Sequence, residues 1–317
     1  MKKYVAAFGL ALTASIGMAQ SNYPAQAVTA VVGYVPGGAA DIIMRQLAIL
    51  MGPKFPSGLV VLNRPGAGGS TAVASIAQGK PDGYTFAFVP HSNLTLSPQV
   101  NKLSYKNPDD ILPIINVVNY STLLVVAKNS PYKDAKELLA AAKAAPGTVS
   151  VGYPGDTTIS HLNVLELERV AKVELLKVPF TGWGQGSPQL LGGHINAAVA
   201  QPTEATSFLE AGTVRGLASF SEKRQTGLPS VPTMKEQGAD VGIGVRYMLI
   251  TTKGTPPNIV KYIHDAAKAA TETKEFKDFA ASHGLELAYQ DGNAIREAAW
   301  ADYRKYGELL KQLAASK

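Results

Sequence analysis

Short β-branched runs alternate with amphipathic helical stretches along the chain, and this alternation constrains the fold more than any other feature. Val28–Val35 reads as a strand and Ala39–Met51 as the helix after it. Leu59–Leu62, Thr85–Val89, Val149–Tyr153, Leu175–Val178, Ala197–Ala200 and Val214–Ser219 read as further strands. Thr71–Gln78, Asp134–Ala145, Ser160–Val170 and a segment from Ser187 to Leu191 read as helices between them. Asn258–Thr271, Lys274–His283 and Asn293–Leu313 place apolar residues at helical spacing near the C-terminus. Parallel strands need a crossover of helix length, so this order predicts an α/β fold on largely parallel sheets. Leu123–Val126 is a β-rich run where the chain could leave one domain for another.

Several of these strands end in small residues: Pro36-Gly37-Gly38, Gly66-Ala67-Gly68-Gly69, Gly155-Asp156-Thr157-Thr158 and Thr181-Gly182-Trp183-Gly184. Ligands of open parallel sheets bind outside the carboxyl ends of strands. Four such loops predict a cleft walled by backbone amides and small hydroxyls. The helix after Gly38 offers free N–H groups and a positive dipole end, suited to an anion. Asp41 in its first turn reads two ways, as a dipole partner or as a group that positions loop amides. Asp156, Thr157, Thr158 and Ser160 offer a helix cap and several donors. His161 is either a ligand contact or a first-turn structural residue. Trp183, between two glycines, is either a lid over a ligand or a packing plug; the pocket-wall reading is preferred because aromatics line small-molecule sites.

Lys2 and Lys3, the apolar stretch Tyr4–Ile16 and the small residues Gly17-Met18-Ala19 form a secretory leader pattern, with cleavage expected after Ala19. The apolar run is short for a membrane span of ~20 residues. The chain contains no cysteine, so neither a lipid-anchored cleavage site nor a disulfide is available, and stability must come from core burial. A periplasmic location is expected. The net charge of +6 falls to +4 (6 minus 2) without Lys2 and Lys3. That mild excess favours anionic partners, but no basic cluster marks a nucleic-acid partner.

Known catalytic patterns are missing. Gly66-Ala67-Gly68-Gly69 lacks the third glycine of a dinucleotide turn, and no phosphate-loop lysine motif occurs. Ser130-Pro131-Tyr132-Lys133 matches S-x-x-K only formally, since no K-T-G follows. The five histidines show no metal-ligand spacing. No cofactor and no metal are expected.

The segments "YPAQAVTAVVGYVPGGAADIIMRQLA", "VVLNRPGAGGSTAVASIAQGKPDGYTF", "SHL", "LLGGHINAAVA" and "GLPSVPTMKEQG" occur in this order. Together they resemble the Bug-type periplasmic solute-binding receptors of tripartite tricarboxylate transporters, over essentially the whole mature chain. The resemblance implies two Rossmann-like α/β domains of the type II periplasmic-binding-protein kind, joined by two crossing strands, with the ligand cleft between them. It implies a first domain of residues 20–123 and 243–317 and a second of residues 124–242, after a leader of residues 1–19. Carried onto this sequence, the site comprises Tyr34, Val35, Pro36, Gly37, Gly38 and Asp41; Ala67, Gly68 and Gly69; and His91, Ser92 and Asn93. From the second domain it takes Gly155, Asp156, Thr157, Thr158, Ser160 and His161, with Thr181, Trp183 and Gln201. The sequence departs from the common family pattern at Tyr34 and Val35, at Thr181, where a lysine is common, and at Asn196.

The expected function is capture of a small carboxylate, a di- or tricarboxylate or an aromatic acid, by a monomeric receptor that closes and docks on membrane transporter subunits. The rivals are an exported hydrolase of a small ester or amide using Ser160 and His161 or another pair assembled in space, and a ligand sensor for a membrane kinase.

Overall fold

A computed structural model describes residues 23–315; the leader expected over residues 1–19 lies outside them. The chain begins with β1 (Val28–Val32), α1 (Ala39–Met51), β2 (Leu59–Asn63), α2 (Ser70–Ala77) and β3 (Thr85–Pro90). The short helices α3 (Ser92–Thr95) and α4 (Ser97–Val100) precede the long strand β4 (Ile111–Tyr120). A second set follows: β5 (Leu123–Ala127), α5 (Ala135–Ala144), β6 (Ser150–Tyr153), α6 (Ile159–Ala171), β7 (Leu176–Pro179), α7 (Trp183–Leu191), β8 (Ala197–Ala200), α8 (Pro202–Glu210) and β9 (Val214–Ser219). The chain then returns through β10 (Val245–Thr252), α9 (Pro257–Glu272), α10 (Lys274–Ser282), β11 (Glu286–Asp291) and α11 (Gly292–Ala315).

These strands form two sheets. The larger has the order β11-β4-β10-β3-β1-β2 and the smaller β7-β6-β8-β5-β9. β1 runs parallel to β2 and β3, and β6 runs parallel to β7 and β8, as the βαβ reading requires. Both sheets are nevertheless mixed. β10 is antiparallel to β3 and β4, β11 to β4, and β5 to β8 and β9. The reversals belong mostly to the passages between sheets. The chain leaves the larger sheet along β4 and re-enters it along β10, so the two run in opposite directions.

Helix α1 shows why the pattern works. Its Ile43, Met44, Leu47 and Met51 lie on one face and are fully buried in a core shared with Phe86 and Phe88. Each such side chain contributes roughly 1.5–3 kcal/mol by leaving water. A separate core under the smaller sheet gathers Leu124, Val126, Val151, Leu167 and Val199. Helix α5 starts where Asp134 caps it, accepting from the Glu137 amide at 2.8 Å.

β4, β10 and β11 were not evident from the sequence. Pro113 interrupts the donor pattern of β4, and the structure accommodates it at a register shift opposite Ile250. β11 is a polar strand on the sheet's edge, without an apolar alternation to betray it.

Helix α7 begins at Trp183 rather than near Ser187. Its glycines serve packing. A Cβ on Gly186 would lie 2.7 Å from the Phe180 ring. Gly186→Ala is expected to cost about 1–3 kcal/mol by overpacking, read as a lower urea midpoint with unchanged m-value. An unaltered midpoint would show that Phe180 moves freely.

Candidate functional site

The carboxyl ends of four parallel strands point into one space. After β1 come Gly33, Tyr34 and Val35; after β2, Pro65 to Gly69; after β6, Pro154, Gly155 and Asp156; after β7, Phe180 and Thr181. With Pro179 and Gln185 they line a cleft of about 610 Å³ between the two sheets. A narrow void of about 20 Å³ lies deeper, bordered by Ser92, Tyr120, Thr158, Ser160, Gln201 and Tyr247. Tyr34 and Pro154 border both spaces.

The halves touch across this cleft. A Cβ on Gly68, whose φ is +62°, would sit 2.7 Å from the Asp156 carbonyl oxygen. One on Gly182 would lie 3.0 Å from Val35 Cγ2. Ser97 Oγ and Thr157 Oγ1 are 3.5 Å apart. The Tyr120 hydroxyl donates to Gln201 Oε1. Glu204 makes a further link. It completes the capping box of α8 by accepting from the Gln201 amide, and its Oε1 accepts from the Ala39 amide at 3.4 Å. Gly38, the N-cap of α1, has no side chain to offer, so a carboxylate from the other half supplies that partner.

The expected site residues divide into groups. Tyr34, Val35, Ala67, Gly68, Gly69, Gly155, Asp156 and Thr181 line the cleft. Ser92, Thr158, Ser160 and Gln201 line the inner void. Thr158 also caps α6 by accepting from the His161 amide at 3.2 Å. Pro36, Gly37 and Gly38 stand behind the lining, and Asp41 holds them. Its Oδ2 accepts from the Gly37 amide and Arg45 Nε, both at 2.9 Å, and its Oδ1 from Asn63 Nδ2 at 2.8 Å. Burial would raise the Asp41 carboxyl, but these bonds outweigh it and hold it below the usual carboxylate range. Asp41 lies in the first turn of α1, as the dipole reading has it, and it also positions a loop amide.

Other residues sit elsewhere. Asn93 is buried and donates to the Gly68 carbonyl at 2.9 Å, bracing the loop from behind. His91 is buried as well. The Arg246 amide donates to its Nδ1 at 3.2 Å, so Nε2 carries the proton and donates to Tyr306 Oη at 3.0 Å. His161 stacks on Tyr153, with ring centroids 4.6 Å apart, and its Nδ1 lies 3.8 Å from Asp156 Oδ1. Trp183 is not a lid. It is 6% exposed and packs edge-on against Phe180 and Phe208, because α7 starts there and turns the ring into the smaller sheet's core.

Sequence reasoning missed Pro154, Pro179, Phe180, Gln185, Tyr120, Tyr247 and Glu204. Phe180 follows a strand already read and could have been included. Tyr120 and Tyr247 needed the placement of β4 and β10. Glu204 hid because Gln201 is an unusual N-cap, so the capping box carried no standard signature.

The family model for the tripartite tricarboxylate transporter family receptor, TctC, matches residues 43–314. The chain belongs to this family. A UPF0065 protein of Cupriavidus necator, from a gbd 5' region, is 33% identical over all of this chain and 98% of its own length. The periplasmic binding protein BugD is 28% identical and superposes with a TM-score of 0.85, over 92% of this chain and 99% of BugD. MatC of Rhodopseudomonas palustris, solved with bound malate, is 25% identical with a TM-score of 0.84, over 90% of this chain and 99% of MatC. The chain is thus a periplasmic solute-binding receptor, and among its described residues no helix is long and apolar enough to cross a membrane.

Burial pushes the Glu204 carboxyl of this receptor up to about 7, and the bonds from Gln201 and Ala39 offset only part of that rise. Burial above all raises the phenols of Tyr34, Tyr120 and Tyr247, and the nearby Glu204 charge adds to that rise. Folding therefore takes up a proton. The penalty of the ionised buried carboxylate is absent below its ordinary value near 4.5, grows as pH rises to about 7, and is constant above. His91 acts in the opposite sense, since burial and then the Arg246 charge hold it neutral and stability falls as pH drops below about 6.5. Comparison with a variant separates the two. Relative to Glu204→Gln, the wild type is expected to lose about 2–3 kcal/mol of unfolding free energy between pH 5 and pH 8. A pH-independent difference in urea titrations would refute this.

Proposed function

We propose that this receptor captures a small carboxylate in the cleft between its sheets, closes over it without chemistry, and presents the closed form as a monomer to the membrane subunits of a tripartite tricarboxylate transporter. The observation that carries this reading is the convergence of the four strand-end loops, two from each sheet, on one cleft. The loops offer amide N–H groups and hydroxyls, and several neutral donors can hold a carboxylate through charge-assisted bonds. Malate in the similar MatC supports the ligand class.

Closure supplies the signal. In this reading the two halves are residues 20–123 with 243–317 and residues 124–242, and the placing of β4 and β10 in the larger sheet and of β6 to β9 in the smaller supports the division. The hinge lies in the two passages, between β4 and β5 and between β9 and β10. A ligand that touches both halves only when they are shut shifts the population to the closed form. The ligand-facing set is Tyr34, Val35, Ala67–Gly69, Ser92, Gly155, Asp156, Thr158, Ser160, Thr181 and Gln201. Pro36–Gly38, Asp41 and Asn93 position it. A secretory leader over residues 1–19 would bring the chain to its periplasmic site.

A thermal-shift screen of mono-, di- and aromatic carboxylates checks the ligand class, because stabilisation grows with ligand excess over Kd. At least one acid should raise Tm, and none should be turned over. A response confined to neutral sugars or cations would sink the carboxylate reading, and hydrolysis lost on Ser160→Ala would establish the enzyme instead. Gly68→Ala tests closure. Its Cβ would strike the Asp156 carbonyl, so affinity for the acid found should fall at least about tenfold. Unchanged affinity would place closure elsewhere.

A further inference from the structure

The walls of the cleft differ along its length. At the narrow end, hydroxyls of Ser92, Thr158, Ser160 and Tyr120 and the Gln201 amide surround the inner void; Thr158 and Tyr120 give their protons to Gly155 and Gln201, which leaves Ser92, Ser160 and the Gln201 amide N–H groups as the side-chain donors. The wide outer part is walled by Val35, Pro65, Pro154, Pro179 and Phe180. No lysine or arginine lines either space. Lys177, two residues before Pro179, is held by Glu168 at 2.7 Å, and Arg64, beside Pro65, is exposed outside the lining. The sole charged side chain of the lining is Asp156, an acid.

We propose that the ligand carries one carboxylate and an uncharged, largely apolar tail, the carboxylate seated at the hydroxyl-rich narrow end and the tail in the outer cleft. This rests on the carboxylate-receptor reading above and narrows it. A second carboxylate in the outer cleft would be partly desolvated with no cation to compensate it. Asp156 would add repulsion. The apolar walls reward a hydrocarbon or aromatic tail instead. Gln185 adds one refinement. Its Oε1 accepts from Thr181 N at 2.9 Å and Thr181 Oγ1 at 3.1 Å, which leaves its amide N–H groups for a neutral acceptor on the tail.

Two matched pairs test the proposal by calorimetry: hexanoate against adipate, and 4-methylbenzoate against terephthalate. In each pair a terminal methyl replaces a second carboxylate. The measurements are made at about pH 7.5, where carboxylic acids of ordinary pKa are ionised. The monoacid should bind at least about tenfold more tightly in both pairs. Thr181→Lys adds a cation to the outer wall and Asp156→Asn removes the acid; each should narrow the gap by raising affinity for the diacid. A tighter diacid in either pair overturns the single-carboxylate proposal and leaves the receptor reading intact. A gap unchanged in both variants overturns the placement of the tail. Absence of binding by all four acids counts against the carboxylate-receptor reading itself.

Discussion

Everything functional in this molecule depends on two sheets meeting at the carboxyl ends of their parallel strands. Parallel pairing of β1 with β2 and of β6 with β7 aims two loop starts from each sheet at one cleft. The connecting helices then begin at the cleft, so their unsatisfied N–H groups gather there. Glycines at Gly68 and Gly182 let the two sets of loops approach within van der Waals distance. A side chain at either place would hold the halves apart. The shape of the cleft is thus set by where strands stop.

The second feature is how the molecule holds its loops in register. Asp41 ties the Gly37 amide to Arg45 and Asn63, and Asn63 also donates to the Tyr34 carbonyl at 3.0 Å. Tyr34 in turn donates to the Gly68 carbonyl at 2.9 Å, and Asn93 donates to the same oxygen. The loops after β1, β2 and β3 therefore form one hydrogen-bonded unit. Glu204 connects that unit to the other half through the start of α1. A buried carboxylate with no cation beside it is a costly choice, and it sits at the contact between halves rather than in either core.

Much of the fold was legible locally. The bounds of α1, β8 and β9 follow directly from apolar spacing and small-residue punctuation. The cleft loops were legible too, because glycine clusters after strands have few other uses. Trp183 was misread since two flanking glycines suggest mobility, whereas one of the nearby glycines makes room for Phe180 and the helix starts at the tryptophan. His91 looked like a ligand contact beside Ser92, but the turn after β3 directs it inward to Tyr306. Such choices depend on which neighbours arrive from distant parts of the chain.

By itself the sequence determined the α/β class, the strand-end loops, the residue types available to bind an anion and the absence of any lysine or arginine within those loops. Hydrophobic period and glycine placement are local properties, so local reading suffices. Only the tertiary structure decided that β10 returns beside β3 and β4, that Tyr120, Gln201 and Tyr247 meet at one void, and that Glu204 caps a helix in the other half. Glu204 and Ala39, for example, are separated by 165 positions along the chain. No local rule encodes such a pairing; the folding of two cores against each other does.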